Sequence, residues 1–145
     1  MRSKTAIWFE CKVRYAKTCE DGMERKCTEV YVVDAVSFGE AEEKIIKAVG
    51  QYTDSEIEVI GLKIAPYKEV FFADNDLADA WYNVKVNYIT IDEKTDKEKK
   101  TAVVYLFNAG NIDSAKKSVD EVMEQSMIDY KTTNIAETRI MDVFD

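Results

Sequence analysis

The sequence predicts an α+β fold in which a β-β-α-β-β unit occurs twice. The first observation is a motif: residues 8–15, WFECKVRY, return at residues 81–88 as WYNVKVNY. The second is that strand-like and helical segments follow each copy in the same order, at an offset of 73 to 74 residues. A fixed offset over several elements indicates internal duplication. We therefore expect one domain of two repeats, residues 1–72 and 81–145, joined by an acidic connector at residues 73–80.

The first repeat begins with a β-hairpin. Residues 8–15 alternate between apolar and polar side chains, the period of two that places one set of side chains against a core. The set expected in the core is Phe9, Cys11, Val13 and Tyr15. The Asp21-Gly22 pair is typical of a hairpin turn, and residues 28–33, rich in β-branched side chains, follow as the return strand.

A helix follows the hairpin in the first repeat. Ser37 stands three residues before Glu40, the spacing of a capping box that satisfies free amides at a helix start. We expect the helix to run from about Phe38 to Val49 and to stop at Gly50. Its apolar stripe consists of Phe38, Ala41, Ile45, Ala48 and Val49.

Two further strands, residues 57–64 and 67–72, close the first repeat on either side of Pro66, which cannot donate a hydrogen bond to a sheet. In the second repeat, Asn111 takes the cap position of Ser37. The apolar stripe of the second helix consists of Ile112, Ala115, Val119, Val122 and Met123. The closing strands also correspond, residues 61–62 with 134–135 and residues 69–71 with 142–144.

These elements favour an antiparallel sheet, or two sheets, with both helices packed on one face. Short hairpin loops between consecutive strands are the reason to expect antiparallel pairing. An approximate two-fold axis would then relate the two halves of the chain.

The composition is that of a folded protein without a membrane anchor. The 145 residues are 46% hydrophobic and 33% charged, and no stretch reaches the roughly 18 apolar residues of a membrane helix. The N-terminus shows no apolar signal segment, so we expect a cytoplasmic protein that does not associate with membranes. The net charge of −8 argues against a duplex DNA binder that neutralises many phosphates.

Three cysteines, Cys11, Cys19 and Cys27, have no zinc-site spacing and fit a reducing compartment. A disulfide between two of them across the first hairpin is the alternative. Cys11 belongs to the core set, and Cys19 in the hairpin loop is the thiol expected to react most readily.

One face of the first strands carries the candidate binding residues. Alternation places Trp8, Lys12 and Arg14 on the face opposite the core set, and Trp81 with Lys85 on the equivalent face of the second repeat. Aromatic rings beside cations can hold single-stranded nucleic acid, with bases stacked on the rings and phosphates along the lysines. In the structural alternative, each tryptophan covers an edge of the core and each lysine is a solvated neighbour.

The sequence favours no catalytic, metal or cofactor site. It contains no histidine, the usual general base near neutral pH, and no serine or cysteine in a nucleophile motif. The connector at residues 73–80 resembles the start of a calcium loop but lacks the glycine and the final glutamate of such a loop. We therefore interpret it as a solvated linker and expect no enzyme, no metal and no cofactor.

Residues 4–15 (KTAIWFECKVRY), 30–35 (VYVVDA) and 136–144 (AETRIMDVF) together resemble an uncharacterised family of small proteins from gut-type anaerobic bacteria and their phages. The resemblance covers essentially the whole chain. It implies a phage, prophage or mobile-element setting, and it supplies no activity and no catalytic residues.

We therefore expect a non-enzymatic binding module that acts on a protein partner. A regulator or inhibitor of a host nucleic-acid enzyme is a specific version, since an acidic surface can compete for a basic groove. Self-association through exposed strand edges would also suit the repeat. The alternative class is a single-stranded nucleic-acid-binding accessory protein that uses the Trp and Lys face, and a carboxylate-dependent enzyme is the third hypothesis.

Overall fold

The structure is a computed structural model that describes residues 1–18 and 21–145. These residues form nine strands and two helices, so the α+β class predicted from the sequence is confirmed. The elements of the first half are β1 (Arg2–Thr5), β2 (Trp8–Thr18), β3 (Glu24–Asp34), α1 (Phe38–Val49), β4 (Glu58–Ile64) and β5 (Glu69–Phe72). Those of the second half are β6 (Ala80–Ile91), β7 (Glu98–Ala109), α2 (Ile112–Glu124), β8 (Asp129–Glu137) and β9 (Ile140–Phe144).

The chain forms two compact units, each with its own sheet. The β2 unit comprises residues 6–65 and 139–145 and holds the four-stranded sheet β4-β2-β3-β9. The β6 unit comprises residues 1–5 and 66–138 and holds the five-stranded sheet β1-β5-β7-β6-β8.

Each sheet contains a strand from the other half of the chain. β5 belongs to the first predicted repeat, residues 1–72, but pairs with β7 in the β6 unit. β9 belongs to the second predicted repeat, residues 81–145, but pairs with β3 in the β2 unit. The compact units therefore do not follow the bounds of the predicted repeats. The division into two repeats with a connector at residues 73–80 stays a prediction.

Both sheets are mixed. The pairs β2–β3, β2–β4, β6–β7 and β6–β8 are antiparallel, whereas β3–β9 and β5–β7 are parallel. The prediction of antiparallel sheets is wrong for these two parallel pairs. It relied on short loops between consecutive strands, and that argument sets no direction for strands that meet from distant parts of the chain.

The strand registers of the two units correspond. A register shift follows Lys12 in the β2–β4 pair and Lys85 in the β6–β8 pair. Gly61 lies opposite Lys12 just as Asn134 lies opposite Lys85. Each position in one unit can therefore be compared with a counterpart 73 or 74 residues along the chain.

Both helices begin at the predicted caps. The Ser37 hydroxyl accepts a hydrogen bond from the Glu40 amide at 3.1 Å, and the Asn111 side chain accepts one from the Ser114 amide at 2.8 Å. α1 has the predicted bounds, Phe38–Val49. Capping side chains thus satisfy amides that a helix start leaves without intrahelical partners.

One helix packs on one face of each sheet. The helical residues in the two cores are Ala41, Ile45 and Val49 of α1 and Ala115, Val119 and Met123 of α2. The predicted core set of β2, Phe9, Cys11, Val13 and Tyr15, faces α1. Cys11 is a free thiol. Cys19, the thiol expected to react most readily and a candidate for the alternative disulfide, lies outside the described residues.

Cys11 should make the stability of the β2 unit depend on pH. Its side chain is fully buried, and this burial raises the thiol pKa from 9.0 to about 12. The pKa of Cys11 is higher in the folded chain than in the unfolded chain. The contribution of the protonated thiol to stability is therefore complete below the unfolded pKa and is lost as the pH rises through the folded pKa. Over this interval the free energy of unfolding should fall by up to ~1.4 kcal/mol per pH unit.

Cys11→Val introduces the residue found at the counterpart position, Val84, and should remove the Cys11 part of this slope in urea unfolding between about pH 9 and about pH 11. Val13→Ala is the control, because it lowers stability without removing a titrating group and should keep the slope. An unchanged slope in Cys11→Val would contradict the assignment.

Candidate functional site

The predicted binding residues do not form one exposed face. Lys12, Arg14 and Lys85 are exposed. Trp8 and Trp81 are only 1% and 4% exposed. Both rings are therefore buried, which agrees with the structural alternative in which each tryptophan covers an edge of the core. That the five residues bind a ligand stays a prediction.

Packing accounts for the buried position of Trp81. Its ring meets the Phe72 ring edge to face, with centroids 5.6 Å apart. Such rings carry a large apolar surface, and burial of this surface is favourable. The backbone carbonyls of both tryptophans also accept hydrogen bonds, that of Trp8 from the Ala65 amide at 2.7 Å and that of Trp81 from the Thr138 amide at 2.8 Å. Both strand starts are thus held in place.

Charges of both signs alternate on the sheet face that carries Lys12. Glu58 accepts from Lys26 at 3.1 Å and from Arg14 at 3.5 Å, and these two cations lower its pKa. Lys63 lies 3.0 Å from Glu10. Carboxylates therefore form ion pairs with these cations. A groove that binds the phosphates of a nucleic acid instead presents a run of positive charge without such partners.

Tryptophan fluorescence should not respond to single-stranded nucleic acid, because both indole rings are buried. We expect a blue-shifted emission, weak quenching by acrylamide, and no saturable quenching by mixed-sequence single-stranded DNA or RNA at micromolar concentrations. The chain unfolded in guanidinium is the control and should show red-shifted, easily quenched emission. Salt-sensitive quenching that disappears in a Lys12→Ala, Lys85→Ala double variant would contradict this expectation.

A buried carboxylate in the β2 unit was missed by sequence reasoning. Glu29, on β3, is 8% exposed. The Tyr15 hydroxyl donates to its Oε1 atom, and the Tyr31 hydroxyl donates to the same atom at 3.3 Å. Lys17 Nζ lies 3.5 Å from Oε2. Two hydroxyl donors and one cation thus satisfy the carboxylate, as a buried charge requires.

The two tyrosines of this cluster act as hydrogen-bond donors and not as bases. Burial, followed by the hydrogen bond to Glu29, raises the pKa of Tyr15 to about 12. Burial and the charge of Glu29 also raise the pKa of Tyr31. Both hydroxyls therefore stay protonated near neutral pH, and the cluster fits a structural role.

The counterpart cluster in the β6 unit has no carboxylate. Val103 occupies the position of Glu29, and the hydroxyls of Tyr88 and Tyr105 hydrogen-bond to each other at 2.7 Å. The sequence does carry a signal for the burial of Glu29. Glu29 and the core residue Tyr31 are two positions apart on β3, so their side chains lie on the same face of the sheet.

A cavity of about 650 Å³ lies beside Tyr15 and Lys17. Residues 51–55, which follow α1, form much of its opposite wall. Hydroxyl, amide, carboxylate and ammonium groups line it, whereas sites for small molecules are mainly apolar. The cavity therefore does not indicate a small-molecule substrate.

Tyr15→Phe should lower the free energy of unfolding by roughly 1.5–3 kcal/mol, because it removes a hydrogen bond to a buried carboxylate. Tyr88→Phe is the matched control and should cost roughly 0.5–1.5 kcal/mol, because its partner hydroxyl is neutral. Guanidinium unfolding at neutral pH, followed by circular dichroism, measures both. An effect of Tyr15→Phe no larger than that of the control would contradict the assigned hydrogen bond from Tyr15 to Glu29.

β4 is a free edge of the sheet in the β2 unit. It pairs with β2 on one side, and no other strand among the described residues pairs with it. In the β2–β4 register, Val59, Leu62 and Ile64 lie opposite core residues and therefore share the face that α1 covers. Ile64, at the end of the strand, is 60% exposed.

α1 has a flank that faces this edge. Lys44 Nζ donates to the Asp34 carbonyl at 2.7 Å, so the Lys44 side of α1 faces the end of β3. Ile46 lies on the other flank. Gly50, one turn later on that flank, approaches Ile57 just before β4, since a Cβ on Gly50 would lie 3.9 Å from Ile57 Cδ1. The flank that carries Ile46 therefore faces β4.

Phe38 begins the same flank. Its ring packs edge to face on the Phe9 ring, with centroids 5.1 Å apart, and Phe9 lies opposite Ile64 in the sheet. Phe38 is 52% exposed and Ile46 is 40% exposed. We call β4 together with the exposed side chains of Phe38, Ile46 and Ile64 the β4 edge surface.

The corresponding edge of the β6 unit is β8, and this β8 edge is polar. Asp120 takes the position of Ile46, and Glu137 takes that of Ile64. The Tyr130 hydroxyl donates to Asp120 at 3.2 Å. The β4 edge surface and the β8 edge thus have corresponding registers and differ in polarity at these two positions.

The acidic connector forms a local turn. Asn75 accepts a hydrogen bond from the Leu77 amide at 3.0 Å, the pattern of an Asx turn. In residues 1–18 and 21–145, no three His, Cys, Asp or Glu side chains come together as a metal-binding group. No helix in this part of the chain is long and apolar enough to cross a membrane.

Comparison with known proteins adds a family and no activity. Residues 7–145 match a protein family described as Domain of unknown function (DUF4494). Comparison with the curated proteins and with the solved structures finds no match.

Proposed function

The chain belongs to the DUF4494 family, a domain of unknown function, and we propose that it is a non-enzymatic module that binds a protein partner. The observation that supports this proposal is the β4 edge surface. There, a sheet edge with unpaired backbone groups lies beside exposed Phe38, Ile46 and Ile64. An extended segment can add to such an edge as a further strand, with main-chain hydrogen bonds for affinity and alternate side chains for specificity.

The titratable cluster supports a role other than catalysis. The Glu29 carboxylate is paired with Tyr15, Tyr31 and Lys17, so both of its oxygens already have partners. The adjacent cavity is polar, and the chain has no histidine to act as a general base near neutral pH. An edge that binds protein accounts for more of the exposed features than an enzyme does.

The resemblance to proteins of gut-type anaerobic bacteria and their phages favours a particular setting. We propose a cytoplasmic regulator or inhibitor of phage or mobile-element origin. The single-stranded nucleic-acid alternative receives no support from the site, because Trp8 and Trp81 are buried and carboxylates match the neighbouring cations.

Peptide display tests strand addition at the β4 edge surface. The immobilised chain should enrich short random peptides that alternate apolar and polar residues and lack proline. The double variant Ile46→Asp, Ile64→Glu carries the residues found at the polar β8 edge, and it should bind the enriched peptides at least about tenfold more weakly in fluorescence anisotropy.

Ile112→Glu is the matched control for this experiment. Ile112 is the counterpart of Phe38 on α2 and is itself 52% exposed, so the variant replaces an exposed isoleucine beside the other edge. It should bind the peptides like the wild type. Equal binding by the double variant and the wild type, or no enrichment at all, would overturn the proposal.

A further inference from the structure

We infer that the partner of the β4 edge surface is a second copy of this chain, which pairs antiparallel through its own β4. This inference rests on the proposed function, since it names the partner of the same edge. The result is a two-fold dimer in which both copies contribute the same surface. Charge, strand geometry and the apolar flank of α1 favour this pairing.

Residues 57–64, IEVIGLKI, are complementary to themselves when read in the opposite direction. An antiparallel pair centred between Ile60 and Gly61 places Glu58 of one copy opposite Lys63 of the second copy. The two-fold axis repeats this pair, so two pairs of opposite charge form. Opposite charges directly across an antiparallel pair stabilise it, and like charges there destabilise it.

The apolar side chains match in the same register. Val59 lies opposite Leu62 of the second copy, and Ile57 lies opposite Ile64 of the second copy. These pairs lie on the sheet face that α1 covers, because Val59 and Leu62 lie opposite core residues of β2. Apolar pairs therefore form on one face of the joined sheet and charged pairs on the other.

A bulge in β4 makes this register geometrically consistent. A two-fold axis perpendicular to the sheet keeps each residue on its own face, so residues that lie opposite one another must share a face within one chain. Glu58 and Lys63 would lie on opposite faces of a regular strand. The register shift in the β2–β4 pair leaves Ile60 as an extra residue without a partner on β2. Glu58 therefore lies opposite Arg14 and Lys63 opposite Glu10, and both side chains lie on the same face of the sheet.

The same bulge favours a second copy over an arbitrary peptide. A bulge on a sheet edge disfavours pairing with a regular strand. A second copy brings an identical bulge, so Ile60 and Gly61 of both strands lie at the centre and the register continues on either side. The irregularity that weakens pairing with a regular strand is therefore matched in a second copy of β4.

The flank of α1 completes the apolar side of the pair. Ile57 lies beside the flank of α1 that carries Ile46 and Gly50. Ile64 of the second copy, placed opposite Ile57, comes to this flank as well. Its exposed side chain is then covered, together with that of Ile46.

The β8 edge lacks this complementarity. The corresponding register would place Lys131 opposite Ala136 and Tyr130 opposite Glu137. Neither pair joins opposite charges, and Asp120 borders the edge where the β4 edge surface has Ile46. Self-pairing is therefore assigned to β4 and not to β8.

The mass of the full chain in solution tests the inference. At chain concentrations of roughly 10–100 μM, a range suited to a small edge-to-edge interface, light scattering should give twice the 16.6 kDa of one chain. Ile64→Glu should give the mass of one chain, and the control Ile112→Glu should keep the doubled mass. A wild-type chain that stays monomeric, or a dimer that persists in Ile64→Glu, would overturn the inference.

Exchange of the charges at positions 58 and 63 gives a second test. Because two single variants are measured alone and then as a mixture, a defect in the folding of either variant would show in the mixture as well. Glu58→Lys alone places lysine opposite Lys63, and Lys63→Glu alone places glutamate opposite Glu58. Each should raise the dimer dissociation constant by about tenfold. An equal mixture restores both opposite-charge pairs and should dimerise like the wild type. A mixture that dissociates like either variant alone would overturn the inference.

The two proposals fail in different ways. A wild-type chain that stays monomeric but still binds the displayed peptides retains the proposed function and loses only the second copy as partner. A chain that neither dimerises nor enriches peptides loses both.

Discussion

The parallel pairing of β9 with β3 and of β5 with β7 is the constraint on which the rest of the structure depends. Only residues 65–68 separate β4 from β5, and only residues 138–139 separate β8 from β9. Connections this short commonly form hairpins. Each closing strand instead joins the far side of the other sheet, next to β3 or β7. β4 and β8 are therefore left as edges.

What distinguishes the two edges is the side chains around them. Both carry a register shift at corresponding positions, and a helix packs over each sheet. The β8 edge has Asp120 and Glu137, charges that discourage unwanted strand pairing, whereas the β4 edge has Ile46 and Ile64 at the same positions. Within one chain, the polar edge thus serves as the natural comparison for the apolar one. This difference is the basis of the proposed binding role.

Local structure could be predicted from the sequence, and strand partners could not. The bounds of α1, its Ser37 cap and the core set of β2 follow from patterns within a few residues. The parallel pairs join residues far apart in the chain, about which period-two alternation says nothing. Period-two alternation also placed Trp8 on the sheet face opposite the core set. It could not predict which residues pack around the ring, and the ring is buried. The contrast between Ile64 and Glu137 is visible when the two predicted repeats are aligned, but whether β4 is an edge depends on the strand order.

Hydrogen exchange of the backbone amides at low and high chain concentration tests most directly whether β4 is a binding edge. Amides at an unpaired edge exchange quickly, and pairing with another strand protects them. The account predicts that protection within residues 58–64 rises with concentration while protection within residues 129–137 stays constant. Exchange in β4 that does not depend on concentration, or an equal gain of protection in β8, would contradict it.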